Sequence, residues 1–205
     1  IPPRFGFDAA NLSQAQYFEL ARGNASQHAL EMTKWFDTNY HYLVPEIGPD
    51  TTISFADDLL VQRFVSAKES GTLTRPVIVG PVTYLALAKA SDDAPEGWSP
   101  LSRIDDVAAA YRELFAALAA VGAPWVQADE PALVSDNLSV SREQLAELAG
   151  HVWTELASAE DRPAVLVTLP YGDGRVALPA IADSGVEAVQ LDLVRGKAPE
   201  AGAVD

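Results

Sequence analysis

The sequence predicts an α/β domain built on a parallel sheet. Short, nearly continuous apolar runs alternate with longer segments of helical period, and the centres of the runs lie about 25 to 48 residues apart. That spacing holds a strand, a crossover helix and the return. Continuous apolar runs suit strands covered on both faces, the usual condition of parallel strands. Five such runs, each followed by a helical segment or a turn, place the chain in the α/β class.

The first strand is expected at Tyr40 to Val44, ended by Pro45, and the second at Pro76 to Gly80, ended by Pro81. Trp125 to Ala128, Ala164 to Thr168 and Ala188 to Leu193 supply the others. The spacing Ser13-x-x-Gln16 is a capping box, opening a helix that stops at Gly23. Residues 56–70 carry Val61, Phe64 and Val65 on one helical face. Residues 108–121 are rich in Ala and Leu and stop at Gly122, a good helix terminator. A second box, Ser141-x-x-Gln144, precedes Leu145, Leu148, Val152 and Leu156 at helical intervals. Residues 91–100, with two prolines, read as a loop.

With 205 residues, 48% of them hydrophobic and 21% charged, the chain can bury the core of one domain. A complete eight-stranded β/α barrel usually needs about 250 residues. The net charge of −15 argues against nucleic acid and against an anionic membrane surface, since both are held by clustered Lys and Arg. There is no cysteine, which excludes disulfides, thiol catalysis and thiolate-bound zinc within this chain. No apolar run approaches the roughly 18 residues of a membrane span. Ile1-Pro2-Pro3-Arg4 has no secretory pattern, so a cytoplasmic location is expected.

In parallel sheets, functional groups collect at the carboxyl ends of strands. Glu46, the pair Asp129-Glu130, and Asp192 stand at such ends. Asp129 and Glu130 read as a general acid or base, or as ligands for an ammonium or a hydroxyl. They read equally as a cap and a solvated turn before Pro131. Residues 31–42 crowd Trp35, Phe36, Tyr40, His41 and Tyr42 among polar groups. Within them Lys34 offers a mobile point charge and Asn39 a two-pronged hydrogen-bonding group for a carboxylate-bearing ligand. The alternative is rings in the core and a surface lysine. His41 reads as structural. His28 and His151 have no His-x-x-x-His or His-x-Glu partner, so no metal site is expected. Gly172-Asp173-Gly174 with Ala177 matches a permissive dinucleotide pattern, with Asp192 near the ribose-binding spacing. Only 13 residues follow Asp192, too few for the strands of a nucleotide crevice, and the nucleotide reading is set aside.

The segment Glu31 to Pro49, EMTKWFDTNYHYLVPEIGP, resembles the amino-terminal domain of cobalamin-independent methionine synthases. Ala21 to Ser26, Arg75 to Ala90, Trp125 to Val134 and Leu191 to Gly196 are similar to the same family, in matching order. The resemblance implies two face-to-face β/α barrels that transfer the methyl group of 5-methyltetrahydropteroyl-polyglutamate to homocysteine. It further implies that zinc, held by His, Cys and Glu of a carboxy-terminal barrel, binds the homocysteine thiol. Lys34 and Asn39 match family positions that bind the polyglutamate tail. The expected fold is therefore a partial TIM-type barrel, with residues 1–205 an incomplete amino-terminal barrel domain of about strands 3 to 7. The expected partners are the folate and the carboxy-terminal domain of the parent, which this chain lacks along with its zinc. An opened barrel exposes two sheet edges and part of its apolar interior. Self-association of the chain is the expected consequence. Two other readings stand beside this one: a stand-alone α/β ligand-binding domain, and a carboxylate-pair hydrolase using Asp129, Glu130 and Asp192.

Overall fold

The computed structural model describes residues 1–56, 58–200 and 202. In chain order the elements are α1 (Gln14–Arg22), β1 (Met32–Lys34), β2 (His41–Leu43), β3 (Glu46–Ile47), α2 (Leu59–Glu69), β4 (Val77–Val79), α3 (Pro81–Ala86) and β5 (Lys89–Ala90). Then follow α4 (Ile104–Ala120), β6 (Trp125–Asp129), α5 (Arg142–Ala157), β7 (Ala164–Leu169), α6 (Leu178–Ala182) and β8 (Ala188–Leu191). Residue 57, inside the expected helix of 56–70, lies outside the described residues.

Four strands form one parallel sheet in the order β4-β6-β7-β8. The register sets Ile78 beside Ala128, Ala128 beside Val167, and Val167 beside Val189. This row faces the helices: Ala128 and Val167, with Val126, Val165 and Leu169, are fully buried. Phe115 and Leu118 of α4, Leu145, Trp153 and Leu156 of α5, and Ile181 of α6 cover them in one continuous core. The opposite face carries Val77, Gln127, Leu166 and Ala188 in one row and Val79, Asp129, Thr168 and Gln190 in the next. It is only partly covered among the described residues: Val77 is 50% and Trp125 37% exposed, although Thr168 is buried.

Two expectations are corrected here. The strands are buried on one face, not both, and β6 already says so, because Trp-Val-Gln-Ala-Asp alternates. The run at Tyr40 to Val44 does not join the parallel sheet, so the main sheet has four strands where five were expected. It becomes β2 and pairs antiparallel with β1, Thr33 opposite Tyr42 and Lys34 opposite His41. The reversal between them is short and closed locally: Trp35 N–H donates to Tyr40 O at 2.8 Å, and the Thr38 hydroxyl donates to Trp35 O at 2.6 Å. A strand that finds a neighbour so close in sequence avoids the entropy of a long loop. A separate parallel pair, β3 with β5, completes the strands. The observed class is mixed α/β with an open sheet, and a closed barrel is not seen.

Both capping boxes form as expected. Ser13 Oγ accepts from Gln16 N–H while Gln16 Oε1 accepts from Ser13 N–H at 2.9 Å. Ser141 and Gln144 repeat the exchange at the start of α5. Gly122 ends α4 with φ +79°, a left-handed conformation that glycine reaches without strain. No helix among the described residues is long and apolar enough to cross a membrane. Because α5 supplies Trp153 and Leu156 to the core, Ser141→Ala is expected to lower stability by about 1 kcal/mol. Urea unfolding measures this as a lower midpoint with an unchanged slope.

Candidate functional site

At the carboxyl end of β6, Glu130 is fully buried. Its carboxylate accepts the N–H of Thr83 at 2.7 Å and that of Val82 at 3.1 Å. These are two of the unsatisfied donors in the first turn of α3, whose own N-cap residue, Gly80, has no side chain to offer. The strand end of one βα unit thus caps the helix of the preceding unit. Thr83 returns the arrangement: its Oγ1 accepts from Ala132 N–H at 3.1 Å, closing the short 3-10 turn Pro131–Val134 that follows Glu130. Gly80 is required by close approach, since a Cβ there would lie 2.1 Å from Glu130 Cδ. Burial pushes the Glu130 carboxyl up to about 7, against the pull of Thr83, Val82 and the Trp153 indole. The Trp153 Nε1 stops short of hydrogen-bond geometry. Tyr111 closes the region from α4, its hydroxyl donating to Val79 O at 2.7 Å.

Asp192, just after β8, accepts three backbone N–H groups: Tyr171 at 3.0 Å, Val194 at 2.8 Å and Arg195 at 3.0 Å. Those bonds hold its carboxyl below the usual carboxylate range. They also tie the loop after β7 to the loop after β8. The β1–β2 hairpin bends over both loops. Phe36 stacks on Tyr171 with ring centroids 6.3 Å apart, and Asp37 forms an ion pair with Arg195. Among the described residues, Phe36 (φ 45°) and Tyr171 (φ 77°) are the non-glycine residues with left-handed backbone. That conformation costs such residues about 1 kcal/mol or more and persists where surrounding contacts enforce it.

Between hairpin and strand ends lies an open cavity of about 610 Å³. Its polar and charged lining includes Thr33, Lys34, Asp37, Asp136, Tyr171 and Arg195, and Pro131, Val134 and Leu87 supply an apolar floor. Asp37 is paired with Arg195, and Asp136 with Arg142 at 3.2 Å. Lys34 has no acidic partner among the described residues. The cavity therefore presents one uncompensated cation, with a second, Arg195, masked by a displaceable carboxylate. Such a surface can take a ligand bearing more than one carboxylate.

Of the residues singled out from sequence, Lys34 lines this cavity. Asn39 sits exposed at the hairpin tip and is not part of the lining. Asp129 lies on the partly covered sheet face, where Gln127 Nε2 donates to it at 2.7 Å. Glu130 and Asp192 support the rim from beneath through backbone bonds. Asp173 caps the short turn Gly174–Val176 and is held down to about 2 by Arg175, so the Gly172-Asp173-Gly174 stretch presents no phosphate cradle. Gly174 instead packs against Leu169 and Leu191. Arg195, Tyr171 and Asp136 were missed. Arg195 falls in a block already notable for its resemblance, yet no local pattern says that it reaches residue 37. Elsewhere, Asp105, His151 and Glu155 converge on the helical surface with ligand atoms within 4.8 Å of one another.

A family model described as cobalamin-independent synthase, N-terminal domain, matches residues 1–204. A 5-methyltetrahydropteroyltriglutamate–homocysteine methyltransferase of Mycobacterium tuberculosis is 47% identical over 196 residues, covering 96% of this chain and 25% of that protein. A chloroplastic protein of the same designation from Arabidopsis thaliana is 38% identical over 221 residues, covering 100% of this chain and 27% of that protein. The chain spans about a quarter of the length of the curated relatives it matches. Among solved structures, a methyltransferase from Methanosarcina mazei superposes with a TM-score of 0.56 at 16% identity, covering 88% of this chain and 60% of that chain. That likeness is one of fold.

Glu130 gives the domain a pH signature. Its folded pKa, about 7, lies above the ordinary value of 4.5, so the folded state holds a proton that the unfolded state releases. The corresponding stability is fully present below the ordinary value and is lost as pH rises through about 7. Chemical unfolding of the wild type and Glu130→Gln should show the wild-type advantage shrinking between pH 5 and 7.5. A difference that does not vary with pH would contradict the assignment.

Proposed function

Because this chain belongs to the family of cobalamin-independent synthase amino-terminal domains, we propose that it is the folate-tail-binding part of a methionine synthase. The reaction is transfer of the methyl group of 5-methyltetrahydropteroyl-polyglutamate to homocysteine, carried out together with a carboxy-terminal catalytic domain. One observation carries the binding assignment: the unpaired ammonium of Lys34 lines the cavity at the strand ends. The γ-linked glutamates of the tail add one carboxylate each, and Lys34 meets the first. A second displaces Asp37 from Arg195, which extends the reading from the lysine to a two-cation track. Asn39, at the hairpin tip, is assigned to the outer part of the same tail.

The zinc implied by the family resemblance requires a Cys ligand together with His and Glu, and this chain has no Cys. Its residues do not fit that group, and no chemical step is assigned to them. The four sequential parallel strands support placement as neighbouring strands of a β/α barrel. The partly covered sheet face is then barrel interior, to be covered by other strands or by a second copy. Neither the stand-alone binding domain nor the hydrolase is favoured: Glu130 and Asp192 are already engaged by backbone N–H groups, and the relatives quoted are methyltransferases.

Lys34→Ala is expected to weaken triglutamyl folate by roughly 2- to 5-fold and monoglutamyl folate less, the scale of one exposed ion pair. Asp37→Asn should strengthen the triglutamyl form by unmasking Arg195. Calorimetric titration, on the chain mixed with the complementary part of a curated relative, measures both; equal effects on the two folates would count against the tail assignment. The chain assayed without that part should transfer no methyl group.

A further inference from the structure

The cluster on the helical surface is unused by the proposed reaction, and its donor set is chemically specific. His151 and Glu155 are one helical turn apart on α5, which puts both on one face. Asp105, in the first turn of α4, faces them across the helix pair, its Oδ1 2.7 Å from His151 Nε2. One imidazole nitrogen and two carboxylate oxygens thus lie within 4.8 Å of one another. Around a tetrahedral zinc, donors about 2.0–2.2 Å from the metal are roughly 3.4 Å apart. Asp105 and His151, hydrogen-bonded at 2.7 Å, must part by roughly 0.7 Å to admit the ion, and the Glu155 carboxylate lies within 4.8 Å of both. The side chains are accessible, Asp105 74% and His151 57% exposed. Against the site stands Arg112, whose Nη2 holds Glu155 at 2.8 Å. A part-exposed pair of that kind is weakly held and readily displaced.

We propose that Asp105, His151 and Glu155 form a first-row divalent metal site bridging α4 and α5, with water filling the remaining positions. Imidazole with carboxylate suits zinc, nickel or cobalt, and disfavours calcium and magnesium, which take oxygen-only sets. The chain's net charge of −15 favours cation capture in general. The sequence could not announce the site, because its third ligand comes from another helix 46 positions away.

The test is calorimetric titration of the tag-free chain with zinc chloride, and with cobalt chloride followed by its visible absorption. One-to-one zinc binding is expected, together with a rise in Tm, because the metal links two helices only in the folded state. His151→Ala should weaken binding at least tenfold. Arg112→Ala should tighten it, because Glu155 is released. The proposal is overturned if zinc does not bind, if His151→Ala binds as the wild type does, or if Arg112→Ala weakens binding. All three positions are exposed or half-exposed, and circular dichroism of each variant verifies that the fold is retained.

Discussion

The arrangement depends on one buried carboxylate. Glu130 stands where β6 ends, fully enclosed, and meets the first turn of α3 with both oxygens. Removing a lone carboxylate from water costs several kcal/mol, and that is recovered only where hydrogen bonds and a favourable dipole converge. Here two backbone N–H groups of the first turn of α3 recover part of that cost, and burial still outweighs them, which leaves the carboxyl at about 7. The geometry fixes its neighbours. Gly80 must be glycine, Thr83 must offer a hydroxyl to Ala132, and the chain after Glu130 must turn at Pro131. Since Pro131 and Val134 floor the cavity, the clamp that locks two βα units together also shapes the cavity at the strand ends.

The second constraint is the chain's path across the strand ends. Asp192 joins the loops after β7 and β8, and Phe36 and Asp37 join the hairpin to both. The left-handed backbone of Phe36 and Tyr171 is held by the stack these two residues share. In a chain of net charge −15, the cavity offers a cation, Lys34, without an acidic partner among the described residues, while Arg195 is paired with Asp37 and Asp136 with Arg142. A carboxylate-rich ligand would otherwise be repelled by the protein as a whole. Asp37 is thus the latch between the hairpin and the loop after β8.

Much of this was legible in sequence where the signal is local. The boxes at Ser13 and Ser141 and the stop at Gly122 need only a few neighbouring residues, and they formed as read. The parallel strands at Ile78, Val126, Val167 and Val189 were readable from apolar content. The run at Tyr40 reads the same either way, because a strand in a hairpin and a strand in a sheet share the same period. Only the pairing with Met32 to Lys34 separates them, and pairing is not a property of one segment. Glu130 was noticed as a strand-end acid, but its burial and its use as a cap depend on α3, 47 positions earlier. Arg195 and the cluster of Asp105, His151 and Glu155 stayed hidden for the same reason: each is assembled from residues distant in sequence.

On the proposed reading, the strand-end cavity recognises a chain of carboxylates through Lys34 and Arg195. The most direct measurement is titration with unbranched γ-linked oligoglutamates, free of any pteridine, at two salt concentrations. Affinity should rise with each added glutamate up to about three and should fall as salt is raised, as expected for charge pairs at an open surface. Binding that ignores both tail length and salt, or no binding of any oligomer, would contradict the account.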